Sequence, residues 1–135
     1  MLVVDDERSI RLICRANLEA AGMVVLEAND GASALTIADA ERPSLILLDV
    51  MLPGIDGWEV ARKLAARKET KEIPVIFLTA RVERDDRLRA HALGAVGYLA
   101  KPFDPTALAE VIEVTLQRVQ RGERETLAAQ ILEAK

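Results

Sequence analysis

Leu45-Ile46-Leu47-Leu48-Asp49 is the stretch that decides the fold, followed by the loop Val50-Met51-Leu52-Pro53-Gly54-Ile55-Asp56-Gly57. Its four apolar residues run without alternation and stop at a carboxylate. A short continuous run of branched residues suits a strand buried on both faces, as in a parallel sheet. Four more short apolar runs occur, and three of the five are continuous and rich in branched residues. The four are Leu2-Val3-Val4 ending in Asp5-Asp6, Val24-Val25-Leu26, Val75-Ile76-Phe77-Leu78 ending in Thr79, and Tyr98-Leu99-Ala100 ending in Lys101-Pro102.

Helical patterns fill the intervals. Ile10, Ile13, Cys14, Leu18 and Ala21 share one face, and Gly22 stands where a helix ends. Ala34, Leu35, Ile37 and Ala38 mark a second helix, stopped before Pro43. Val60, Leu64 and Ala65 mark a third, entered after Gly57, and Leu88, Ala92 and Leu93 a fourth, ended by Gly94. Asp104-Pro105 reads as an N-cap and first helical residue. Leu108, Val111, Ile112, Thr115, Leu116 and Val119 then face inward. Strand and helix alternate five times, which predicts an α/β fold, doubly wound, with a five-stranded parallel sheet and helices on both faces.

The chain has 135 residues, the size of one domain, and half of them are apolar. With 22 acidic and 18 basic residues its net charge is -4, a poor balance for tight nucleic-acid binding. Cys14 is the single cysteine and His91 the single histidine, so neither a disulfide nor a Cys/His zinc site can form. Cys14 reads as a small buried hydrophobe, and His91 as a solvated helix residue. No apolar run approaches the ~20 residues of a membrane span. The early arrival of Asp5 and Asp6 argues against a signal peptide, so a cytoplasmic location is expected.

Ligands of open parallel sheets bind beyond the carboxyl ends of the strands. Asp5, Asp6, Asp49, Thr79 and Lys101 all stand at such ends and should converge on one rim. Crowded carboxylates repel unless a positive charge joins them. Lys101 supplies one, and Mg²⁺ with oxygen ligands suits the remainder. A carboxylate nucleophile, a hydroxyl, a lysine and a cation are the parts needed to receive and hold a phosphoryl group.

These motifs resemble the receiver domain (CheY-like) of two-component response regulators. The resemblance rests on Val3-Val4-Asp5-Asp6-Glu7, Leu48-Asp49 through Gly57, Leu78-Thr79-Ala80 and Tyr98-Leu99-Ala100-Lys101-Pro102-Phe103, in that order, across about residues 2–119. It implies a flavodoxin-like sheet of strand order 2-1-3-4-5. It implies that Asp49 is the phosphoacceptor, served by a sensor histidine kinase or a histidine phosphotransfer protein. Asp6, Asp49 and the Met51 carbonyl would ligate Mg²⁺, with Asp5 acting largely through water. Lys101 would pair with the phosphoryl group, aimed by a cis peptide before Pro102. Ala80 would leave room for the phosphoryl oxygens. Thr79 and Tyr98 would form a switch that reshapes the surface of the fourth helix, fifth strand and fifth helix. The domain is a regulatory phosphoacceptor on this reading, not an enzyme, although it promotes its own phosphotransfer and autodephosphorylation.

Two other readings compete with it. Aspartyl-nucleophile phosphatases resemble a pattern with a second Asp two residues after the nucleophile, where this chain has Met51. A pseudo-receiver used only for dimerisation would be expected to lose part of the set Asp5, Asp6, Asp49, Thr79 and Lys101. Trp58 is expected to be partly buried at the start of the third helix. The charged run Arg81 to Arg89 reads as a solvated loop and helix start, with Arg81 close to the site. The surface around Val96-Gly97 and Ala109–Glu113 looks more like a stand-alone receiver, or one joined to an output other than a winged helix. Residues 1–121 therefore read as a receiver domain and 122–135 as a helical tail or linker. Leu127, Ile131 and Leu132 of that tail fall at helical spacing. It is either frayed or packed on a neighbour, or it leads to a coiled coil or output domain. The partners implied are the phosphodonor, a downstream protein and possible homodimerisation, with no membrane and no direct DNA contact.

Overall fold

A computed structural model of the chain describes residues 1–80 and 83–133. The elements alternate as β1 (Leu2–Val4), α1 (Arg8–Ala20), β2 (Leu26–Ala28), α2 (Gly31–Glu41), β3 (Ile46–Asp49), α3 (Gly57–Ala66), β4 (Val75–Thr79), α4 (Arg84–Ala92), β5 (Gly97–Ala100), α5 (Leu108–Gln120) and α6 (Arg124–Glu133). All strand pairings are parallel, in the order β2-β1-β3-β4-β5. The expected doubly wound sheet and its strand order are both present.

The strand period of two divides the apolar side chains between two cores. Leu2, Val4, Ile46, Leu48, Val75 and Phe77 face α2, α3 and α4. Val3, Leu47, Ile76 and Leu78 face Cys14 and Leu18 of α1 and Leu108 and Ile112 of α5. Every residue of β1, β3 and β4 is buried, which explains the unbroken apolar runs. Asp30 caps α2 by accepting the Ser33 N–H at 2.7 Å, and Asp56 caps α3 by accepting the Glu59 N–H at 2.9 Å.

Several local expectations need correction. β2 starts two residues later than expected, at Leu26, and Val24 is 78% exposed. The pairing Leu2↔Leu26 sets this register, and the polar Glu27 inside β2 is held by Arg11 and Arg15. Ile13 and Ala21 of the first apolar face are exposed. In α3 it is Ala61, not Ala65, that lies in the core. α4 buries Ala90, while Leu88 and Ala92 are exposed and Leu93 is half-buried. Val111 of α5 is exposed as well. Asp104 caps a separate turn through Thr106, and α5 itself opens three residues later, after Ala107. Arg81 lies outside the described residues.

Candidate functional site

The four strands β1, β3, β4 and β5 end side by side. Register aligns Asp49 with Leu78 and Thr79 with Ala100, so the residues at or just beyond these ends share one rim. Asp5 and Asp49 are buried there and Asp6 is exposed. One carboxylate oxygen from each of the three lies within 4.8 Å of the others. Lys101 reaches over them, its Nζ 2.8 Å from Asp5 Oδ2 and 3.3 Å from Asp49 Oδ2.

Backbone groups fix each of these side chains. Asp5 Oδ1 accepts the Glu7 N–H at 2.9 Å, and Asp49 Oδ1 accepts the Met51 N–H at 3.1 Å. The Lys101 N–H donates to the Thr79 carbonyl at 2.7 Å, and the Lys101–Pro102 peptide is cis. Thr79 is 1% exposed at the end of β4. Tyr98 on β5 is half-buried and packs against the core that holds Phe77. Met51 projects outward, so only its backbone belongs to the rim.

The electrostatics follow from burial. Burial, and then the charge of Asp5, pushes the Asp49 carboxyl up to about 6, against the Met51 N–H and Lys101. Burial pulls Lys101 down, but its contacts with Asp5 and then Asp49 outweigh this and hold it above the ordinary lysine value. Two buried carboxylates thus share one ammonium. Asp5 Oδ2 is buried without a well-directed hydrogen bond and relies on its ion pair with Lys101. An all-oxygen donor set with excess negative charge fits a hard divalent cation such as Mg²⁺.

Three supporting features escaped the sequence reading. Arg11 donates from Nη1 to the Asp5 carbonyl at 2.7 Å and pairs with Glu27 at 3.1 Å, tying α1 and β2 to the acidic loop. Gly57 passes so close to the Asp49 carbonyl that a Cβ there would collide with it, and would lie 2.8 Å from Val50 Cα. The Asp-Gly pair ahead of α3 was the available signal for this approach. Trp58 is more buried than expected, at 6% exposure. Its ring centroid is 4.6 Å from that of Phe77, and the Arg89 guanidinium of α4 lies 4.9 Å above it. His91 is exposed, as expected of a solvated helix residue. Beside the rim, Ile10, Ile13, Ala80, Phe103 and Pro105 line a shallow apolar hollow with Lys101 and Pro102.

A buried acidic rim on a 2-1-3-4-5 parallel sheet defines a class, the phosphorylatable receiver modules. The chain belongs to the response regulator receiver domain family, whose sequence model matches residues 1–113. It is 43% identical over 118 residues to the alkaline phosphatase synthesis transcriptional regulatory protein PhoP of Bacillus subtilis (strain 168), covering 87% of this chain and 48% of that one. It is 41% identical over 125 residues to the phosphate regulon transcriptional regulatory protein PhoB of Pseudomonas aeruginosa, covering 93% and 55%. The chain thus spans about half the length of the curated relatives it matches. Its fold matches the chemotaxis response regulator CheY4 of Vibrio cholerae with a TM-score of 0.79 and 33% identity, covering 84% of this chain and 95% of that one. The family is that of two-component signalling, and its receiver domains are regulatory phosphoacceptors that bind Mg²⁺ at an acidic pocket. Among the described residues no helix is long and apolar enough to cross a membrane.

Proposed function

We propose that Asp49 accepts a phosphoryl group from a phosphohistidine, borne by a sensor histidine kinase or a histidine phosphotransfer protein. The observation that carries this reading is the buried Asp49 carboxylate within 3.3 Å of Lys101 Nζ and beside Asp5 and Asp6. An Asp49 oxygen attacks phosphorus, the N–P bond breaks, and the histidine keeps the electron pair. The product is an acyl phosphate. Water attack on it returns the carboxylate and inorganic phosphate, so the module resets itself. Mg²⁺, held by Asp6, Asp49 and the Met51 carbonyl with Asp5 acting through water, would offset charge on the transferring oxygens. Lys101 exchanges its Asp49 contact for the phosphoryl oxygens. The apolar hollow beside the rim offers the donor protein a surface to rest on while its histidine meets Asp49.

The Thr79 hydroxyl is drawn to the new phosphoryl group, and Tyr98 turns into the space it leaves. The face formed by α4, β5 and α5 then changes shape, a two-state response to one added anion. That face would control a downstream protein or an output domain. Residues 1–121 form the receiver domain and 122–135 a tail, and the setting is cytoplasmic. The names of PhoP and PhoB support a transcriptional output, and that of CheY4 a chemotactic one. Phosphoramidate with Mg²⁺ should add one phosphoryl group to the intact mass. Asp49→Asn, or chelation of the metal, should abolish it. Labelling that persists in Asp49→Asn would sink the assignment.

A further inference from the structure

The tail is a packed element. Gly122, with φ 79°, turns the chain back after α5, and Glu123 N–H closes the turn onto the Arg118 carbonyl at 3.0 Å. α6 then packs on α4, and it also touches β5 and α5. Ile131 is buried in the core on the α4 side of the sheet, and Leu127 in the core on the α5 side. A helix that contributes to both cores must cross the free edge of β5, the outermost strand. Polar ties accompany it. Arg118 Nη1 donates to Gln130 at 3.0 Å, and Arg124 donates to the Glu72 carbonyl.

We infer that α6 is a built-in cover on the α4–β5–α5 face, held in the resting protein and loosened when Asp49 is phosphorylated. The inference rests on the phosphoacceptor reading above. A helix of ten residues is too short to persist alone, so its order depends on those seats. Tyr98 packs against the same core that receives Ile131. Turning into the space Thr79 leaves withdraws the Tyr98 ring from that shared, close-packed core, so the seat of Ile131 loses part of its packing. Ile131 is the residue by which α6 is seated in that core, so its loosening frees the helix. A covered edge strand also cannot pair with another chain, so the cover withholds this face from partners until the signal arrives.

The test is hydrogen exchange on the whole chain, with and without phosphoramidate and Mg²⁺, alongside intact mass. A mass gain with amides of 124–133 exchanging roughly tenfold faster, within the ordinary range of site–site coupling, and α2 unchanged, supports the cover. A mass gain with α6 exchange unchanged or slower overturns the cover and leaves the phosphoacceptor reading standing. No mass gain overturns that reading and the cover with it. Coupling is reciprocal, so loosening α6 should favour phosphorylation. Arg118→Ala, which removes the ties to Glu123 and Gln130 without touching either core, should speed α6 exchange in the resting protein and raise the phosphorylated fraction. A faster-exchanging α6 with an unchanged phosphorylated fraction overturns the coupling.

Discussion

In the proposed switch the acidic rim and the covered edge of β5 are two ends of one path, yet they are built by opposite means. At the rim, four strand ends and backbone hydrogen bonds place Asp5, Asp49, Thr79 and Lys101, and Asp5 and Asp49 are each held by an amide two residues further on. At the edge, the placement of Tyr98, α4 and α6 depends on side chains distant in sequence, such as Ile131 on Ala90 and Phe77 in one core. Rigid local geometry suits chemistry, which needs fixed distances. Shared packing suits a switch, because elements of nearly equal standing can change places at low cost.

Gly57→Ala should break the rim hardest. Its new Cβ meets backbone atoms that cannot yield, so stability should fall by about 3 kcal/mol, a value typical of overpacking. Urea denaturation monitored by circular dichroism would measure it, and phosphorylation by phosphoramidate should fall as well. Ile131→Ala strikes the other end. It should weaken the seating of α6 by about 2 kcal/mol, the low end for an apolar truncation. Hydrogen exchange should show that loss in residues 124–133, with the rim's amides unaffected.

Acidity sharpens the comparison, because Asp49, the carboxyl pushed up to about 6, lies at the rim. Asp49 must lose its proton to hold a cation, so apparent Mg²⁺ affinity should drop by ~tenfold per pH unit below 6 and level off above it. Calorimetric titration at several pH values would follow this. Without metal, Asp49 holds its proton more firmly in the folded protein than in the unfolded chain between 3.8 and about 6. The Asp49 contribution to stability should therefore decline as pH rises across that window, and added Mg²⁺ should flatten that decline. Arg89→Ala makes the smallest expected change. Losing its place over Trp58 should cost α4 about 0.5–1 kcal/mol, read as a shift in tryptophan emission and in thermal midpoint.

The same contrast explains what the residues disclosed in advance. Asp49, Asp5, Thr79 and Lys101 close or follow short apolar runs, and the rule for parallel sheets brings such ends together. The central strands were legible for the same reason, being apolar on both faces. β2 was not, because Glu27 is tolerated there only through Arg11 and Arg15, which belong to another element. The inward face of α4 was not legible, because bulk points to Leu88 while the residue that neighbouring elements bury is Ala90. Leu127, Ile131 and Leu132 marked the tail as helical. Which two would be buried depended on both sides of β5 at once.

The modest anchoring of α4 has a consequence for sensitivity. A helix that buries a single alanine has little free energy of its own opposing local opening. Its position is set by what borders it: Trp58 beneath Arg89, and α6 alongside. The gain of the proposed switch, meaning the fraction of molecules converted per phosphoryl group, is therefore adjustable at Trp58, Arg89 or Arg118. Evolution or an engineer can retune its threshold there without altering one atom of the phosphotransfer chemistry.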